Sequence, residues 1–236
     1  MKHVLITGAN RGIGLGHTEA FAAKGIHVFA AVRSPDEADE LHALAANCKD
    51  MVTVLRYDAA VPEAAKQLKA AVGDTPIDLL FANAGALGGN HQSFGSVDAD
   101  DVLQLLQVNS VAPLMLVEAL ADNVASSARK IVALQSSQLG SITNNERGGL
   151  YAYRMSKAAL NMVAKSLAID LRPLEITVVS MHPGWVKTRM GNDVAPGMVA
   201  PVSVEQSVEG QQRLFNRLDL QASGKFFNFN GTELPW

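Results

Sequence analysis

The sequence predicts an α/β protein built on a doubly wound parallel sheet of about seven strands, with helices on both faces. Short apolar runs rich in β-branched residues alternate along the chain with longer segments of helical periodicity. The apolar runs lack a polar face, which is typical of parallel strands covered by helices on both sides. A glycine-rich turn follows the first run. Helical crossovers would bring the carboxyl ends of the strands to one ligand-binding edge.

The first half of the chain alternates strand-like and helix-like segments. The run HVLIT at 3–7 is bounded by Gly8, and apolar positions such as Ile13 and Phe21 recur after it at helical spacing. The predicted strands are 3–7, 27–32, 51–57 and 77–85, and the predicted helices are 12–24, 35–46 and a segment from about residue 62.

The second half continues the alternation without an internal repeat, a low-complexity segment or a linker-like stretch. Its predicted helices are 98–107, 110–127, 152–171 and 203–217, and its predicted strands are 130–137, 175–184 and 224–231. We therefore expect a single domain that spans residues 1–236.

Composition limits the classes of protein to which this chain can belong. Of 236 residues, 48% are hydrophobic and 18% charged, with a formal net charge of −3, as in a globular protein with a sizeable core. No basic block and no long apolar run is present, so we expect neither a nucleic-acid partner nor a membrane. The single cysteine, Cys48, fits a reducing compartment. The start MKHVLITGAN has only a short apolar run and does not resemble a signal peptide, so a cytoplasmic location is expected.

A glycine loop, TGANRGIG at 7–14, directly follows the first predicted strand. Gly8, Gly12 and Gly14 are spaced G-x-x-x-G-x-G, which differs from the G-x-G-x-x-G dinucleotide fingerprint but allows the same tight turn and close backbone approach. The following helix would direct its N-terminus at a pyrophosphate. A glycine turn alone is also an ordinary strand-to-helix connection, and its position after the first strand favours the nucleotide-binding interpretation.

Charge at the end of the second strand indicates which dinucleotide would bind. An acidic residue there would bond the ribose 2′-hydroxyl of NAD, but the chain has Val32 and Arg33. Arg33 can pair with a 2′-phosphate, and Arg11 can add a second positive charge. Asp36 lies beyond Pro35, in the predicted first turn of the next helix, where its carboxylate would interact favourably with the helix dipole. NADP(H) is favoured, with NAD(H) as the alternative.

The stretch YAYRMSKAALN at 151–161 contains a candidate proton-transfer pair. Tyr153 and Lys157 are four residues apart and share one face of the predicted helix, whereas Tyr151 has Met155 at that spacing. A tyrosine near its ordinary pKa of ~10 is a poor acid–base group at neutral pH. A nearby ammonium should lower that pKa. Such a pair is also common on solvated helices, so the spacing alone does not establish a catalytic site.

These motifs, taken in order along essentially the whole chain, resemble the short-chain dehydrogenase/reductase family and its Rossmann-like fold. TGANRGIG is similar to the family's TGxxxGxG loop, ANAG at 82–85 stands where the family has NNAG, and YRMSK provides the YxxxK pair. Further matches are Asp58 for the acid that contacts adenine, Asn109 in QVNSVAP, the serine of LQSS and the segment HPGWVKT at 182–188. The segments YRMSKAALN, HPGWVKTRMG and FFNFNGTELPW look most like the C-factor and sniffer-type group.

The resemblance implies roles for individual residues. Tyr153 would be the acid/base, Lys157 would lower its pKa and hold the ribose, and Asn109 would position a relay water. The strand's alternation predicts that only one of Ser136 and Ser137 faces the site, and the family motif places the catalytic serine second, at Ser137. The implied cofactor-binding residues are Gly8, Asn10, Arg11, Gly12, Ile13, Gly14, Arg33, Asp58, Asn83, Ala84, Gly85, Tyr153, Lys157, Pro183, Gly184, Val186 and Thr188.

The function that the resemblance implies is NADP(H)-dependent reduction of an aldehyde or ketone to an alcohol. The alternative is a cofactor-binding signalling or regulatory protein of the C-factor type, and an extended-type epimerase or dehydratase is disfavoured by the glycine spacing. A homodimer or homotetramer is implied, as is a short substrate-side segment at about 187–203 with a flap at 194–202. Trp185 would cover the nicotinamide or pack in the core. His182 has no second His or Cys at ligand spacing, so no metal site is expected.

Overall fold

The computed structural model describes residues 1–48, 50–195 and 197–236. Its centre is one sheet of seven strands: β1 His3–Thr7, β2 His27–Val32, β3 Val52–Arg56, β4 Leu79–Ala82, β5 Ile131–Gln135, β6 Thr177–His182 and β7 Phe226–Asn228. The strand order is β3-β2-β1-β4-β5-β6-β7, and every neighbouring pair is parallel. The order reverses between β1 and β4, which is the point where α/β sheets bind ligands.

Helices cover both faces of this sheet: α1 Gly12–Ala22, α2 Asp39–Asn47, α3 Ala64–Val72, α4 Ala99–Leu106, α5 Ala112–Ala125, α6 Tyr151–Asp170, α7 Arg189–Val194 and α8 Val204–Arg217. One core cluster packs β-strand side chains against α3, α5 and α6. The other packs the opposite face against α1, α2 and α8. The predicted doubly wound fold is therefore confirmed.

The strands read as continuous apolar runs because both of their faces are buried. In β5, Val132 and Leu134 belong to the core under α3, α5 and α6. Ile131 and Ala133 alternate with them and belong to the opposite core. Each of these four side chains has no exposed surface, so neither face of the strand can carry a polar residue without a partner.

The two helices predicted at 98–107 and 110–127 form one continuous helical segment. A π-helical turn, Gln107–Val111, joins α4 to α5, so that helix runs from Ala99 to Ala125 over 27 residues. Its length and composition would suffice to cross a membrane. Leu116, Leu120 and Val124 nevertheless lie in the core against the sheet, as expected of a core helix in a doubly wound fold.

Other predicted boundaries were too wide or missed an interruption. The predicted helix 35–46 divides into a 3₁₀ turn, Pro35–Glu37, and α2, with Ala38 outside the helical region at φ −98° and ψ 53°. Asp36 thus lies in the 3₁₀ turn. The predicted strands 77–85, 130–137, 175–184 and 224–231 each end earlier in the structure, because the backbone turns away at the carboxyl edge to form loops. The candidate residues that follow those strands lie in these loops.

Candidate active site

The glycine loop is packed so closely that side chains would not fit at two of its positions. Gly8 has φ +67°, and a Cβ there would lie 3.0 Å from Ala84 Cα. At Gly14 a Cβ would lie 2.2 Å from the carbonyl oxygen of Gly8 and 2.7 Å from Asn83 Nδ2. Glycine is therefore required both for the turn and for the close approach of α1 to the loop after β4. This is the kind of cradle that a pyrophosphate needs.

The N-terminus of α1 is left without a side-chain cap. Arg11 occupies the N-cap position in an extended conformation and makes no capping hydrogen bond, and no acidic residue lies in the first turn. The free N–H groups and the helix dipole can therefore receive an anion at this point. The residues predicted between the loop glycines, Asn10 and Ile13, are partly exposed around it.

The two arginines predicted to select the 2′-phosphate lie at this same edge of the sheet. Arg11 precedes α1 and Arg33 directly follows β2, and both are exposed. Within the described residues neither forms a salt bridge. Asp58 follows β3, where its carboxylate accepts a hydrogen bond from the N–H of Ala60 at 3.0 Å. The two guanidinium groups and the Asp58 carboxylate thus lie near the carboxyl ends of neighbouring strands.

The ANAG segment is bound to β1 at the switch point of the sheet. The Thr7 hydroxyl oxygen accepts hydrogen bonds from the N–H groups of Asn83 at 3.1 Å and Ala84 at 3.0 Å. The Asn83 amide donates to the carbonyl oxygens of Thr7 at 2.9 Å and Gly8 at 3.3 Å. Gly85 leaves room for the Lys157 side chain, since a Cβ there would lie 3.4 Å from Lys157 Nζ. Thr7 was not singled out from the sequence, although it opens the glycine motif.

Tyr153 and Lys157 lie together on the buried face of α6, as their spacing predicted. The Lys157 ammonium nitrogen is 5.9 Å from the centre of the Tyr153 ring. It donates a hydrogen bond to the carbonyl oxygen of Gln135 at 2.8 Å. Burial lowers the pKa of Lys157 to about 8. Tyr151, in contrast, is 39% exposed and lies on the other side of the helix.

The expected direction of the Tyr153 pKa shift was wrong for the protein by itself. Burial raises the pKa of Tyr153 to about 12, and hydrogen bonding with the Ser137 side chain acts in the opposite direction. The loss of hydration disfavours the tyrosinate more than the protein's own groups stabilise it. Tyr153 is therefore protonated at neutral pH.

The two candidate serines both lie beyond the end of β5, so strand alternation does not decide between them. The Ser136 hydroxyl donates to the main-chain carbonyl oxygen of Lys157 at 3.4 Å. The Ser137 side chain interacts with Tyr153, and its oxygen accepts a hydrogen bond from the N–H of Leu139 at 3.2 Å. The geometry thus places Ser137, and not Ser136, beside the tyrosine hydroxyl.

Asn109 lies inside the π-helical turn and is completely buried. Its amide donates to the carbonyl oxygen of Ala86 at 2.8 Å and to Ser156 Oγ at 2.9 Å, and its oxygen accepts from the N–H of Ala86 at 2.8 Å. Both amide hydrogens are therefore engaged, while the oxygen keeps a second lone pair. A Cβ on Gly85 would lie 3.1 Å from this oxygen and 3.4 Å from Lys157 Nζ, so both groups border the space that Gly85 leaves open. The water relay stays a prediction.

The segment after β6 turns back toward the glycine loop. Gly184 has φ +86°, and Thr188 caps α7 by accepting the N–H of Gly191 at 3.1 Å. A Cβ on Gly12 would lie 3.3 Å from Thr188 Cγ2, which brings the predicted nicotinamide segment against the predicted pyrophosphate loop. Pro183 accepts a hydrogen bond from the Ser207 hydroxyl at 2.7 Å. Val186 is buried and pairs with Val202.

Trp185 and His182 take structural positions in this segment. The Trp185 indole N–H donates to the carbonyl oxygen of Gly191 at 2.7 Å, which ties the strand exit to α7. His182 is the last residue of β6, and burial lowers its pKa to about 4. It is therefore neutral at physiological pH. Pro196, inside the predicted flap at 194–202, lies outside the described residues, and Met198 and Val199 beyond it are 62% and 80% exposed.

A cavity of about 240 Å³ lies beside the first turn of α6. Its lining includes Leu139, Ile142, Tyr151, Arg154 and Met155. Much of the segment 138–150 lines this cavity. Tyr153 and Lys157 do not line it, so the cavity is separate from the predicted catalytic side chains.

Besides Thr7, sequence reasoning missed two residues that build the site. Gly140 packs directly on α6, where a Cβ would lie 2.7 Å from the carbonyl carbon of Lys157. The glycine three residues after Ser137 was the available signal. Gln92 is 3% exposed and bonds to the first turn of α6, and no local motif marks it.

Comparison with known proteins confirms the resemblance that the motifs indicated. Residues 2–198 match the family described as short chain dehydrogenase. The C-signal protein of Myxococcus xanthus is 41% identical over 161 residues, which are 68% of this chain and 93% of that protein. The carbonyl reductase Sniffer of D. melanogaster has a TM-score of 0.90 at 36% identity, with 100% of both chains covered. The NADPH-bound carbonyl reductase from chicken fatty liver has a TM-score of 0.91 at 31% identity, with 100% of this chain and 99% of that chain covered.

Proposed function

The chain belongs to the short-chain dehydrogenase/reductase family, and on this basis we propose that it reduces an aldehyde or ketone to an alcohol with NADPH. The observation that carries the proposal is the placement of Tyr153 and Lys157 on one buried helix face with Ser137 beside the tyrosine. The similarity to two carbonyl reductases over the full length of the chain supports the same reaction. The substrate is a small carbonyl compound.

NADPH is the favoured cofactor, and NADH is the alternative. The exposed guanidinium groups of Arg11 and Arg33 stand at the ends of neighbouring elements and suit a 2′-phosphate. The similar chicken enzyme has NADPH bound. The uncapped N-terminus of α1 and the crowded glycines 8 and 14 would hold the pyrophosphate. Asp58 would contact adenine, and the segment from Pro183 to Thr188 would hold the nicotinamide end.

Bound NADPH would supply the hydride, and the chain's own residues handle the proton. Negative charge develops on the substrate oxygen during reduction and requires donors aimed at it. Ser137 would hold that oxygen, and Tyr153 would give it a proton. A tyrosine with a pKa of about 12 is fully protonated at neutral pH, which is the form that reduction needs.

Lys157 would lower the free-energy cost of the negative charge that forms on Tyr153 as its proton leaves. Its ammonium group is 5.9 Å from the tyrosine ring and is fixed by Gln135. A positive charge at this distance in a buried site favours tyrosinate. With a pKa of about 8, Lys157 is largely protonated at neutral pH. The remaining lone pair of the Asn109 oxygen would hold a water. Through this water and Lys157, a proton would reach Tyr153 and replace the one that it gave to the substrate.

A second candidate function is that of a cofactor-binding signalling or regulatory protein. The observation that favours it is the 41% identity to the C-signal protein of Myxococcus xanthus. A regulator that only binds cofactor would not need a buried lysine and a serine at the tyrosine. The complete set of Ser137, Tyr153 and Lys157 therefore favours turnover.

Self-association is part of the proposal. Met155, Met162 and Ile169 are 47%, 66% and 64% exposed on α6, and their spacing of seven places them along one stripe of the helix. An exposed apolar stripe of this kind favours burial against another surface. We therefore favour a homodimer or homotetramer, and Met162→Glu should reduce the mass measured by sedimentation if the stripe is the contact.

The test of the reductase proposal is NADPH oxidation over a panel of aldehydes, ketones, diketones and quinones, with Tyr153→Phe measured in parallel. Binding of NADPH is followed separately by its fluorescence. Turnover in the wild type that disappears in Tyr153→Phe, with NADPH binding retained, supports the reductase. NADPH binding without turnover on any carbonyl compound would leave the regulatory function as the better explanation.

A further inference from the structure

The first turn of α6 carries Tyr153 but has no cap of its own. Leu150, at the N-cap position, is in the left-handed region at φ 47° and ψ 42° and makes no side-chain capping bond. Gly148 and Gly149 before it have φ values of 62° and 65°. The first N–H groups of a helix have no partners within it and need acceptors from elsewhere. In this helix those acceptors must come from a distant part of the chain.

Gln92 supplies two of those acceptors from the loop between β4 and α4. Its main-chain carbonyl oxygen accepts the N–H of Tyr151 at 3.0 Å. Its side-chain Oε1 accepts the N–H of Tyr153 at 2.8 Å. The third helical N–H is the one that an N-cap side chain normally satisfies. Gln92 therefore caps α6 although it lies 61 residues away from Tyr153 in the sequence.

The orientation of the Gln92 amide is fixed by its other end. Nε2 donates to the carbonyl oxygens of Leu87 at 2.8 Å and Gly89 at 2.9 Å, so both amide hydrogens are used. Two carbonyl partners on one side and one N–H partner on the other leave a single assignment of the amide nitrogen and oxygen. The side chain is 3% exposed, so water does not compete for these bonds.

The loop that Gln92 holds begins at the cofactor side of the site. Asn83 and Ala84 are bound to Thr7, and Ala86 is bound to Asn109 through its N–H and its carbonyl oxygen. Leu87 and Gly89 follow directly and receive the Gln92 amide. The loop from Asn83 to Gln92 is therefore held by hydrogen bonds to β1 at its start and to the main chain of Tyr153 at its end.

We propose that Gln92 is a positioning residue that fixes Tyr153 relative to the segment from Asn83 to Gly85. The catalytic part of this inference rests on the proposed reductase function. Gln92 acts through the main chain of Tyr153 and does not touch the reacting atoms. Loss of its acceptor would leave a buried N–H of α6 unsatisfied and let the first turn of the helix unwind around Tyr153.

Gln92→Met tests the inference, because it keeps the length of the side chain and removes its acceptor and both donors. We expect kcat to fall about tenfold or more, since one lost buried hydrogen bond in a positioned turn is sufficient for that factor. The KM for NADPH should change less than about threefold, because the hydrogen bond from Gln92 to a predicted cofactor residue reaches only the main-chain N–H of Tyr153. Gln104→Met, an exposed glutamine on α4, is the matched control and should leave kcat unchanged.

Gln92→Glu separates positioning from general stability. A protonated glutamic acid has one acceptor oxygen and one donor, and therefore reproduces most of the amide pattern. The carboxylate cannot donate to Leu87 or Gly89 and would repel their carbonyl oxygens. We therefore expect kcat of this variant relative to the wild type to recover as the pH falls. A defect that is the same at every pH would overturn the proposal.

A readout without turnover keeps this inference separate from the proposed function. The chain has three tyrosines, so ¹³Cζ-tyrosine NMR gives a small set of signals, and Tyr153→Phe assigns the signal of interest. Gln92→Met should shift the Tyr153 signal and leave that of Tyr57 in place. A Tyr153 signal and a kcat both equal to those of the wild type would overturn the inference. A shifted signal in a protein without any reductase activity would support positioning and reject the proposed function alone.

Discussion

Lys157 and Gln135 are joined by a hydrogen bond of 2.8 Å from the ammonium nitrogen to the main-chain carbonyl oxygen. The bond connects the buried face of α6 to the last residue of β5, two residues before Ser137. It fixes the cation at the edge of the sheet where the tyrosine and serine meet. A charged group held in this way has a cost to stability that depends on pH.

The free energy of unfolding should depend on pH because the charge of Lys157 is buried. Its pKa is lowered by burial from 10.5 to about 8, so the unfolded chain holds this proton more tightly than the folded chain. The resulting destabilisation is fully present below pH 8 and is relieved as the pH rises from about 8 to 10.5. The difference corresponds to on the order of 3 kcal/mol.

Lys157→Met removes this pH dependence. Relative to the variant, the wild type should gain stability between pH 7 and pH 10, which urea unfolding at several pH values measures. The bond to Gln135 is lost at every pH and therefore does not affect the slope. A constant stability difference over this range would show that the lysine is not desolvated.

Ser136 and Ser137 offer a matched pair of substitutions. Ser137→Ala removes the hydroxyl beside Tyr153 and should lower kcat about a hundredfold, as loss of one oxyanion donor does. Ser136→Ala removes only a 3.4 Å hydrogen bond to the main chain of Lys157 and should lower kcat less than about threefold. Steady-state reduction of one carbonyl substrate measures both. A larger effect at Ser136 would assign the catalytic role to that residue.

Arg33 should determine the preference between the two cofactors. Arg33→Ala removes a charge that suits the 2′-phosphate, and should weaken NADPH binding about tenfold or more with little effect on NADH. Arg213→Ala on α8 is the control. Arg213 is also exposed, but its charge is paired with Glu209 and it is not among the predicted cofactor residues. Fluorescence titration with each cofactor gives both dissociation constants. Equal weakening for NADPH and NADH would show that Arg33 does not contact the 2′-phosphate.

Local patterns were sufficient to predict the fold, because apolar runs mark the strands and the glycine spacing marks the turn after β1. The apolar run at 3–7 became β1 and the crowded turn followed it. Tyr153 and Lys157 were found because four residues of a helix make one turn. The join between α4 and α5 was missed, since a π-helical turn at Gln107–Val111 shifts the periodicity that defines each helix.

Properties that depend on contacts between distant parts of the chain could not be predicted from local sequence patterns. The Tyr153 pKa was expected to fall because the spacing shows the lysine, but it rises because burial by other elements is stronger. The family motif, and not strand alternation, selected Ser137, and alternation could not have decided because β5 ends at Gln135. Gln92 bonds to a residue 61 positions away, and no periodic pattern carries that information.

The glycine cradle can be tested with two positions on the same helix. A Cβ at Gly14 would lie 2.2 Å from the main-chain oxygen of Gly8, whereas a Cβ at Gly16 would meet only the side chains of Val208 and Val204 at 3.0 and 3.1 Å. Gly14→Ala must therefore displace backbone and should weaken NADPH binding more than about tenfold, together with a loss of stability.

Gly16→Ala should be nearly neutral for NADPH binding, because valine side chains can move and alanine favours the helix. Thermal unfolding and NADPH titration measure both variants. Equal, small effects at the two positions would show that the loop can open without cost. The close contact between Gly14 and Gly8 would then not be what shapes the cofactor site.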